Sequence, residues 1–238
     1  MTTPLAIVGH GKMGRLVEQL APEYDFDVRA TFSSSDIAAL SRELLRGAAL
    51  AVEFTTPSAA RDNIRKLASL GVNTVSGTTG WYDELPQVRV EISRAQSALI
   101  YAPNFSVGMT LFADIVQRAA ALFADHPEYE AWGWEIHHSA KKDSPSGTLK
   151  KLETEIRSAG YNRSISLSAN RAGTQAGTHE IGFDSPSDTV TLRHSAKNRE
   201  GFARGALLAA RWIIGKKGVF EFREVLADLR GIPSASGS

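Results

Sequence analysis

The sequence predicts an α/β protein: a Rossmann-like parallel-sheet domain plus a smaller α+β domain with an open mixed sheet. Two patterns carry this expectation. Between residues 5 and 101, short apolar runs alternate with helical stretches, as parallel strands joined by right-handed crossovers do. Beyond residue 160, strand-like segments follow one another across Gly, Pro, Ser and Asp without helices between them, as in a mixed or antiparallel sheet.

Each element has its own signal. Leu5–Val8 is a continuous apolar run, short enough for a buried strand, and leads through Gly9–Gly14 into a helical stripe of Leu16, Val17 and Leu20. Residues 27–32 form a second strand. Ile37, Leu40 and Leu44 at helical spacing predict a helix over 37–45, with Asp36 as its N-cap. Residues 50–54 form a third strand and 59–70 a third helix, with Ile64, Leu67 and Leu70 on one face. Residues 72–76 and 98–101 complete the parallel series. After Tyr101, residues 107–123 form a long apolar helix with Leu111, Ile115, Ala119 and Leu122 on one stripe. Residues 129–136 alternate Trp132, Trp134 and Ile136 against Gly133, Glu135 and His137, a half-buried strand. Ser146 or Thr148 caps a helix carrying Leu149, Leu152 and Ile156. Strands over 164–169, 179–183 and 189–194 follow. A closing helix over 202–214 packs back on the first domain, and the tail over 233–238 is low in complexity.

Composition excludes several classes of function. The 238 residues are 42% hydrophobic and 22% charged, ordinary for a soluble globular protein. The net charge of +1 gives no global field for nucleic acid. Without cysteine there is no disulfide, catalytic thiolate or cysteine-ligated metal. No apolar run approaches the ~20 residues of a membrane helix, and the first residues do not resemble a signal peptide, so the cytoplasm is the expected compartment.

Gly9-His10-Gly11-Lys12-Met13-Gly14 follows a strand and opens a helix, the context of a dinucleotide fingerprint. Gly9 permits the tight turn, Gly11 the approach of a pyrophosphate, and Gly14 close helix–strand packing. The acidic residue expected about 20 residues on, which binds the ribose of NAD, is replaced by Ser33, Ser34 and Ser35. Short hydroxyls do not repel a 2′-phosphate, and Lys12 supplies a cation; this leans toward NADPH, or NADPH and NADH both, while the serines read equally well as turn residues. Phe54 and Thr55, Gly77, Thr78 and Thr79, and Ala102, Pro103, Asn104 and Phe105 each follow a strand of this first domain. Carboxyl ends of parallel strands line the ligand crevice. The expected dinucleotide-binding domain is therefore 1–105, completed by 200–238. Residues 106–199 form the second domain.

The richest segment is Glu135–Thr148, Glu-Ile-His-His-Ser-Ala-Lys-Lys-Asp-Ser-Pro-Ser-Gly-Thr. His137 and His138 are neighbours on or just past a strand, so they point to opposite faces. Imidazoles titrate near pH ~6.5 and suit proton exchange. Lys141 adds a cation or a proton. Pro145 and Ser146 precede a helix start whose Gly147 and Thr148 N–H groups can bind a carboxylate. Adjacent histidines on opposite faces chelate poorly, so no metal is expected.

The combined pattern resembles the dihydrodipicolinate (4-hydroxy-tetrahydrodipicolinate) reductase family of bacterial diaminopimelate and lysine biosynthesis. The family signature Glu-x-His-His-x-x-Lys-x-Asp-x-Pro-Ser-Gly-Thr matches Glu135 through Thr148 at every specified position. The resemblance spans nearly the whole chain, including Gly77–Gly80, Asn104–Gly108, Arg171–His179 and the helix after Asn198–Phe202. It implies that NADPH or NADH, bound at the residues named above, gives a hydride to C4 of a cyclic dicarboxylate imine with loss of water. It implies that His137 is the general acid/base and Lys141 the proton donor. His138, Ser146, Gly147 and Thr148 then hold substrate, with Arg199 a further candidate. The second domain becomes the substrate-binding and oligomerisation domain, usually of a homotetramer; the shorter chain leaves a smaller homo-oligomer open. A related two-domain amino-acid or diaminopimelate dehydrogenase, or a non-catalytic dinucleotide-binding protein, are the competing readings. Neither calls for the His-His…Lys…Pro-Ser-Gly-Thr segment.

Overall fold

A computed structural model describes residues 2–33 and 37–231. Ser34, Ser35 and Asp36 and the tail 232–238 lie outside the described residues, and with them the expected cofactor contact at Ser34 and the expected cap at Asp36. The chain divides into two compact units, Met1–Val107 with Glu200–Ser238, and Gly108–Arg199.

The first unit is a parallel sheet covered by helices. Its elements in order are β1 (Thr3–Val8), α1 (Lys12–Leu20), β2 (Phe26–Phe32), β3 (Leu50–Glu53), α2 (Pro57–Ser69), β4 (Asn73–Ser76), α3 (Leu85–Arg94) and β5 (Ala98–Tyr101). α4 (Val107–Phe123) leads into the second unit, β6 (Glu130–His137), α5 (Gly147–Ser158), β7 (Ile165–Arg171), β8 (Thr178–Asp184) and β9 (Thr189–Ser195). The chain then returns to the first unit with α6 (Glu200–Trp212), β10 (Gly218–Glu221) and α7 (Phe222–Leu229).

The six-stranded sheet runs β10-β5-β4-β3-β1-β2, with every pairing parallel. β1 and β3 lie inside the sheet and bury Leu5–Val8 and Leu50–Val52, which is why those stretches read as apolar runs. α1, α6 and α7 bury Val17, Ala206, Leu207, Ala210 and Val225 with Leu5, Ile7 and Val52 in one core. A second core joins α2 and α3 through Ile64, Val88 and Ile92.

The four-stranded sheet of the second unit runs β7-β6-β8-β9 and is mixed: β6 and β7 are parallel, with α5 as their crossover, and β8 is antiparallel to β6 and to β9. Alternation along β6 buries Ala131, Gly133, Glu135 and His137 and leaves Trp132, Trp134 and Ile136 half-buried on the other face. The inner face closes on Leu149, Leu152 and Ile156 of α5 and on Met109, Phe112 and Val116 of α4.

Several expectations are corrected. The helix over 37–45 is only a 3-10 turn at Ile37–Ala39. Leu40 and Leu45 are buried there, and Leu44 is exposed. The irregular chain reaches its core contacts without helical spacing. On α4 the buried stripe is Met109, Phe112, Ala113, Val116 and Ala120, one position away from the stripe expected, and Ile115 and Leu122 face outward. An all-round apolar helix does not reveal its inward side by periodicity. α3, β10 and α7 were not anticipated. β10 is an edge strand of four residues, Gly-Val-Phe-Glu, too short to stand out.

Candidate active site

In the first unit, the predicted cofactor residues gather at the carboxyl ends of β1, β3, β4 and β5. Gly9 has φ +97, and a Cβ there would collide with the Phe54 carbonyl. A Cβ at Gly14 would collide with the Gly9 carbonyl, so the turn and the first helical turn are locked together. Gly11, the N-cap of α1, has open space around it. That is the room a backbone approach by a pyrophosphate requires. Lys12 is exposed and Met13 half-buried at the helix start, while His10 is turned to Glu18, 2.7 Å away. Ser33 follows β2, and the Phe32 carbonyl accepts from the Gly9 N–H at 2.8 Å.

The neighbouring loops are fixed by a residue the sequence reading passed over, Glu53. It is fully buried at the end of β3. Its Oε1 accepts from the Thr55 N–H at 2.9 Å, from Thr78 Oγ1 at 2.9 Å and from Thr55 Oγ1, and its Oε2 accepts from Ser76 Oγ at 2.5 Å. One carboxylate thus ties Thr55 to Thr78, the two predicted cofactor loops. Burial raises the pKa of this carboxyl above its ordinary value, against the four hydrogen bonds that lower it. Trp81 Nε1 donates to the Thr78 carbonyl at 2.8 Å and steadies the second loop. Gly77 packs against the Phe54 ring, and Thr79 follows it on the same loop. After β5, Ala102 and Phe105 are buried, Pro103 is exposed, and Asn104 Oδ1 accepts from the Ser106 N–H at 2.8 Å.

In the second unit, the chemistry collects at the end of the inner sheet face. Glu135 is fully buried and His137 nearly so. Ser146 donates to Glu135 twice, from its N–H at 2.8 Å and from its hydroxyl, and the same hydroxyl accepts from the Leu149 N–H at 3.1 Å to cap α5. Of the two cap candidates, Ser146 is the one used. Arg171 Nη2 donates to Glu135 Oε1 at 2.9 Å and also to the Asp143 carbonyl. His179 Nε2 lies 3.3 Å from Glu135 Oε2, and His137 Nδ1 lies 3.7 Å from the same oxygen. The two imidazoles meet edge to face at 5.1 Å.

Burial tends to raise the Glu135 pKa, but Ser146, Arg171 and His137 together bring it below the ordinary value. Burial lowers the His137 pKa; Glu135 pulls it back up, and Lys141 and Arg171 push it down. His179 is driven down to about 4, first by burial and then by His137. Gly177, with φ +140, lies against the His137 ring, where a Cβ would sit 2.9 Å from Nε2. Glycine there preserves the room around that nitrogen.

Lys141 Nζ holds the Asp143 carboxylate at 2.7 and 2.9 Å. Those hydrogen bonds, with help from the Gly147 N–H, keep Asp143 below the ordinary carboxylate range. A cation and a helix start therefore converge on one carboxylate. His138 is half-buried just past β6, Gly147 is exposed and Thr148 half-buried. Arg199 is exposed at the end of the second unit. Arg171 and His179 join the cluster although the sequence reading gave them no role; their signal was their place in the Arg171–His179 motif.

One ligand atom each of Glu135, His137 and His179 falls within 4.8 Å of the others, a spacing a metal ion tolerates. The chemistry of the group opposes one. Both Glu135 oxygens already accept hydrogen bonds, and the Arg171 guanidinium repels a dication.

Comparison with known proteins agrees with this layout. Family models described as "Dihydrodipicolinate reductase, N-terminus" and "Dihydrodipicolinate reductase, C-terminus" match residues 3–105 and 108–226. A 4-hydroxy-tetrahydrodipicolinate reductase of Christiangramia forsetii is 32% identical over 240 residues, covering 94% of this chain and 98% of that protein. One of Archaeoglobus fulgidus is 31% identical, covering 91% and 96%. Among solved structures, a dipicolinate-bound dihydrodipicolinate reductase from Paenisporosarcina sp. TG-14 superposes with a TM-score of 0.78 at 24% identity, covering 94% of this chain and 99% of that one. An amine dehydrogenase from Mycobacterium smegmatis shares the fold more loosely, with a TM-score of 0.64 at 10% identity, covering 94% and 96%. The matches to both halves of the chain, together with full-length relatives above 30% identity, show that this protein belongs to the dihydrodipicolinate reductase family.

Proposed function

We propose that this chain reduces 4-hydroxy-tetrahydrodipicolinate to tetrahydrodipicolinate, with hydride addition at C4 and loss of water. As a family member it is an NAD(P)H-dependent oxidoreductase of the diaminopimelate and lysine route. The first unit binds the dinucleotide, which supplies the hydride when bound. Gly9–Gly14 and the start of α1 take the pyrophosphate. Thr55, Thr78 and the Ala102–Phe105 loop take the nicotinamide end.

The second unit binds substrate and moves protons. Lys141 donates the proton that leaves with the C4 hydroxyl as water. His137, as general acid/base, removes a proton from the carbon next to C4 and returns one to that carbon after the hydride has added at C4. The net change is one hydride and one proton gained, and one water lost. Gly147, Thr148 and Ser146 at the start of α5, with His138 and Arg199, hold the two carboxylates. The observation that carries this reading is the convergence of the Lys141 ammonium and the Gly147 N–H on one carboxylate, beside a buried histidine. The same groups suit a dianionic substrate.

The protein acts in the cytoplasm as a homotetramer joined through the outer face of the second sheet, where Trp132, Trp134 and Ile136 are half-buried. Among the described residues no helix is long and apolar enough to cross a membrane.

The test supplies substrate from a coupled synthase and follows NADPH and NADH absorbance. Substrate-dependent oxidation of either supports the assignment; none with both ends it. His137→Ala should lower kcat at least about 100-fold while NADPH still binds. His138→Ala should chiefly raise KM. Light scattering of the purified protein reads the assembly, and a monomer would refute the tetramer.

A further inference from the structure

We propose that Glu135 is a positioning residue that serves two parts of the site at once: its charge holds and tunes the His137 imidazole, and its oxygens fix the Ser146 start of α5. The inference rests on the reading of His137 as the proton-transfer group.

The geometry is that of a hub. Glu135 lies on β6, fully buried, and both neighbouring strands and the loop after β6 send a group toward it. β7 sends Arg171, 2.9 Å from Oε1. β8 sends His179, 3.3 Å from Oε2. The loop after β6 returns Ser146, whose N–H reaches Oε1 at 2.8 Å and whose hydroxyl reaches the other oxygen. His137, two residues along the same strand face, aims Nδ1 at Oε2 from 3.7 Å. That Nδ1 is buried and meets no hydrogen-bond partner, so the nearest countercharge is this carboxylate. Nε2 is left on the side where Gly177 keeps space open.

Charge logic agrees with the geometry. The groups that face His137 are Glu135 on its own strand, Arg171 on β7, His179 on β8, and Lys141 and Asp143 in the following loop. His194 of β9 stands one strand further, beside His179. Lys141 and Arg171 oppose a proton on His137, and burial opposes it more strongly. Glu135 is foremost among the groups that favour the proton. Arg171 and Ser146 in turn keep Glu135 ionised so that it can do so. Without Glu135, the imidazole would sit among cations in a buried site and would hold a proton only at markedly lower pH.

The experiment is a histidine-labelled NMR titration of the whole protein, with the His137 signal assigned by its loss in His137→Asn, run beside kcat/KM against pH. In Glu135→Gln the His137 titration should move to lower pH by about one unit or more. The kinetic limb that reports His137 should move with it, and KM for substrate should rise as the start of α5 loosens. Ser146→Ala loosens the same helix start but leaves the charge in place, so it should raise KM and move the His137 titration far less. If Glu135→Gln does not fold, Glu135→Asp, which draws the carboxylate back by one methylene, reads the same shift at smaller size. An unmoved His137 titration in the folded Glu135 variant overturns the proposal, as does an equal shift in Ser146→Ala. A moved titration with an unmoved kinetic limb supports the tuning of His137 by Glu135 and refutes the catalytic reading of His137 instead.

Discussion

Glu53 and Glu135 are both fully buried near the end of a sheet strand, one in each unit; Glu53 accepts four hydrogen bonds, and Glu135 accepts three and has His179 3.3 Å away. Their protonation goes opposite ways. Glu53 meets only hydroxyls and an amide, and burial prevails, raising its pKa. Glu135 meets a guanidinium and two imidazoles as well as Ser146, and its pKa falls. A buried carboxylate with neutral donors is a tie between loops. With one cation beside it, it becomes a fixed negative charge that can act on a neighbour. The signs of their pH dependence differ accordingly. Glu135, with a lowered pKa, contributes stability that is present above its unfolded value and is lost as pH falls through the folded one. Glu53, with a raised pKa, binds its proton more tightly when folded, so its contribution is lost as pH rises past the unfolded value.

The largest expected effect is on stability. Glu135→Gln leaves the half-buried Arg171 without its countercharge and should lower the unfolding free energy by about 3 kcal/mol in denaturant melts. Glu53→Gln leaves no cation without its countercharge, since the partners of Glu53 are hydroxyls and an amide, and should change it by only about 1 kcal/mol. Equal losses at the two positions would erase the contrast. Gly177→Ala places a methyl against His137 Nε2 in a backbone conformation that favours glycine. It should cut kcat at least about tenfold with NADPH affinity kept, whereas Glu53→Gln should raise KM for NADPH with less change in kcat.

Acid should weaken the second unit. His179 titrates at about 4 folded against an ordinary value of 6.5, so between those limits only the unfolded chain takes the proton. Stability should fall as pH drops through that window, seen as a lower Tm at pH ~5 than at pH ~7. His179→Phe should flatten the slope. His137 and His194, also lowered by burial, keep part of it. The smallest effect concerns the cofactor. Ser33→Asp, at the end of β2, should raise KM for NADPH several-fold with little change for NADH, because a carboxylate repels a 2′-phosphate.

Most of this layout was written in local pattern. β1 and β3 read from the apolar runs Leu5–Val8 and Leu50–Val52, which are buried on both faces, and the glycine turn read from its spacing. Ser146 at the head of α5 was foreseen as one of two caps. What escaped was decided by tertiary contact. The inward side of α4 depends on which neighbours it meets. β10 exists because the exposed edge of β5 gives it a partner. Glu53 was hidden as the polar end of an apolar strand, although a charge in that place is itself a sign of buried hydrogen bonding. Arg171 and His179 are 36 and 44 residues from Glu135 in sequence and meet it only because β6 lies between β7 and β8.

The return of the chain to its first sheet has a consequence for biosynthesis. β10 pairs with β5 in parallel register, Gly218 against Ala98, yet the whole second unit is translated between them. For roughly ten seconds of elongation, the nascent first unit carries an open β5 edge and lacks the α6 and α7 side chains that fill its core. The second unit, continuous in sequence, can finish first. A ribosome stalled before Gly218 would therefore display a folded second unit beside an unfinished, sticky first one. Chaperone demand on this enzyme should concentrate in that interval.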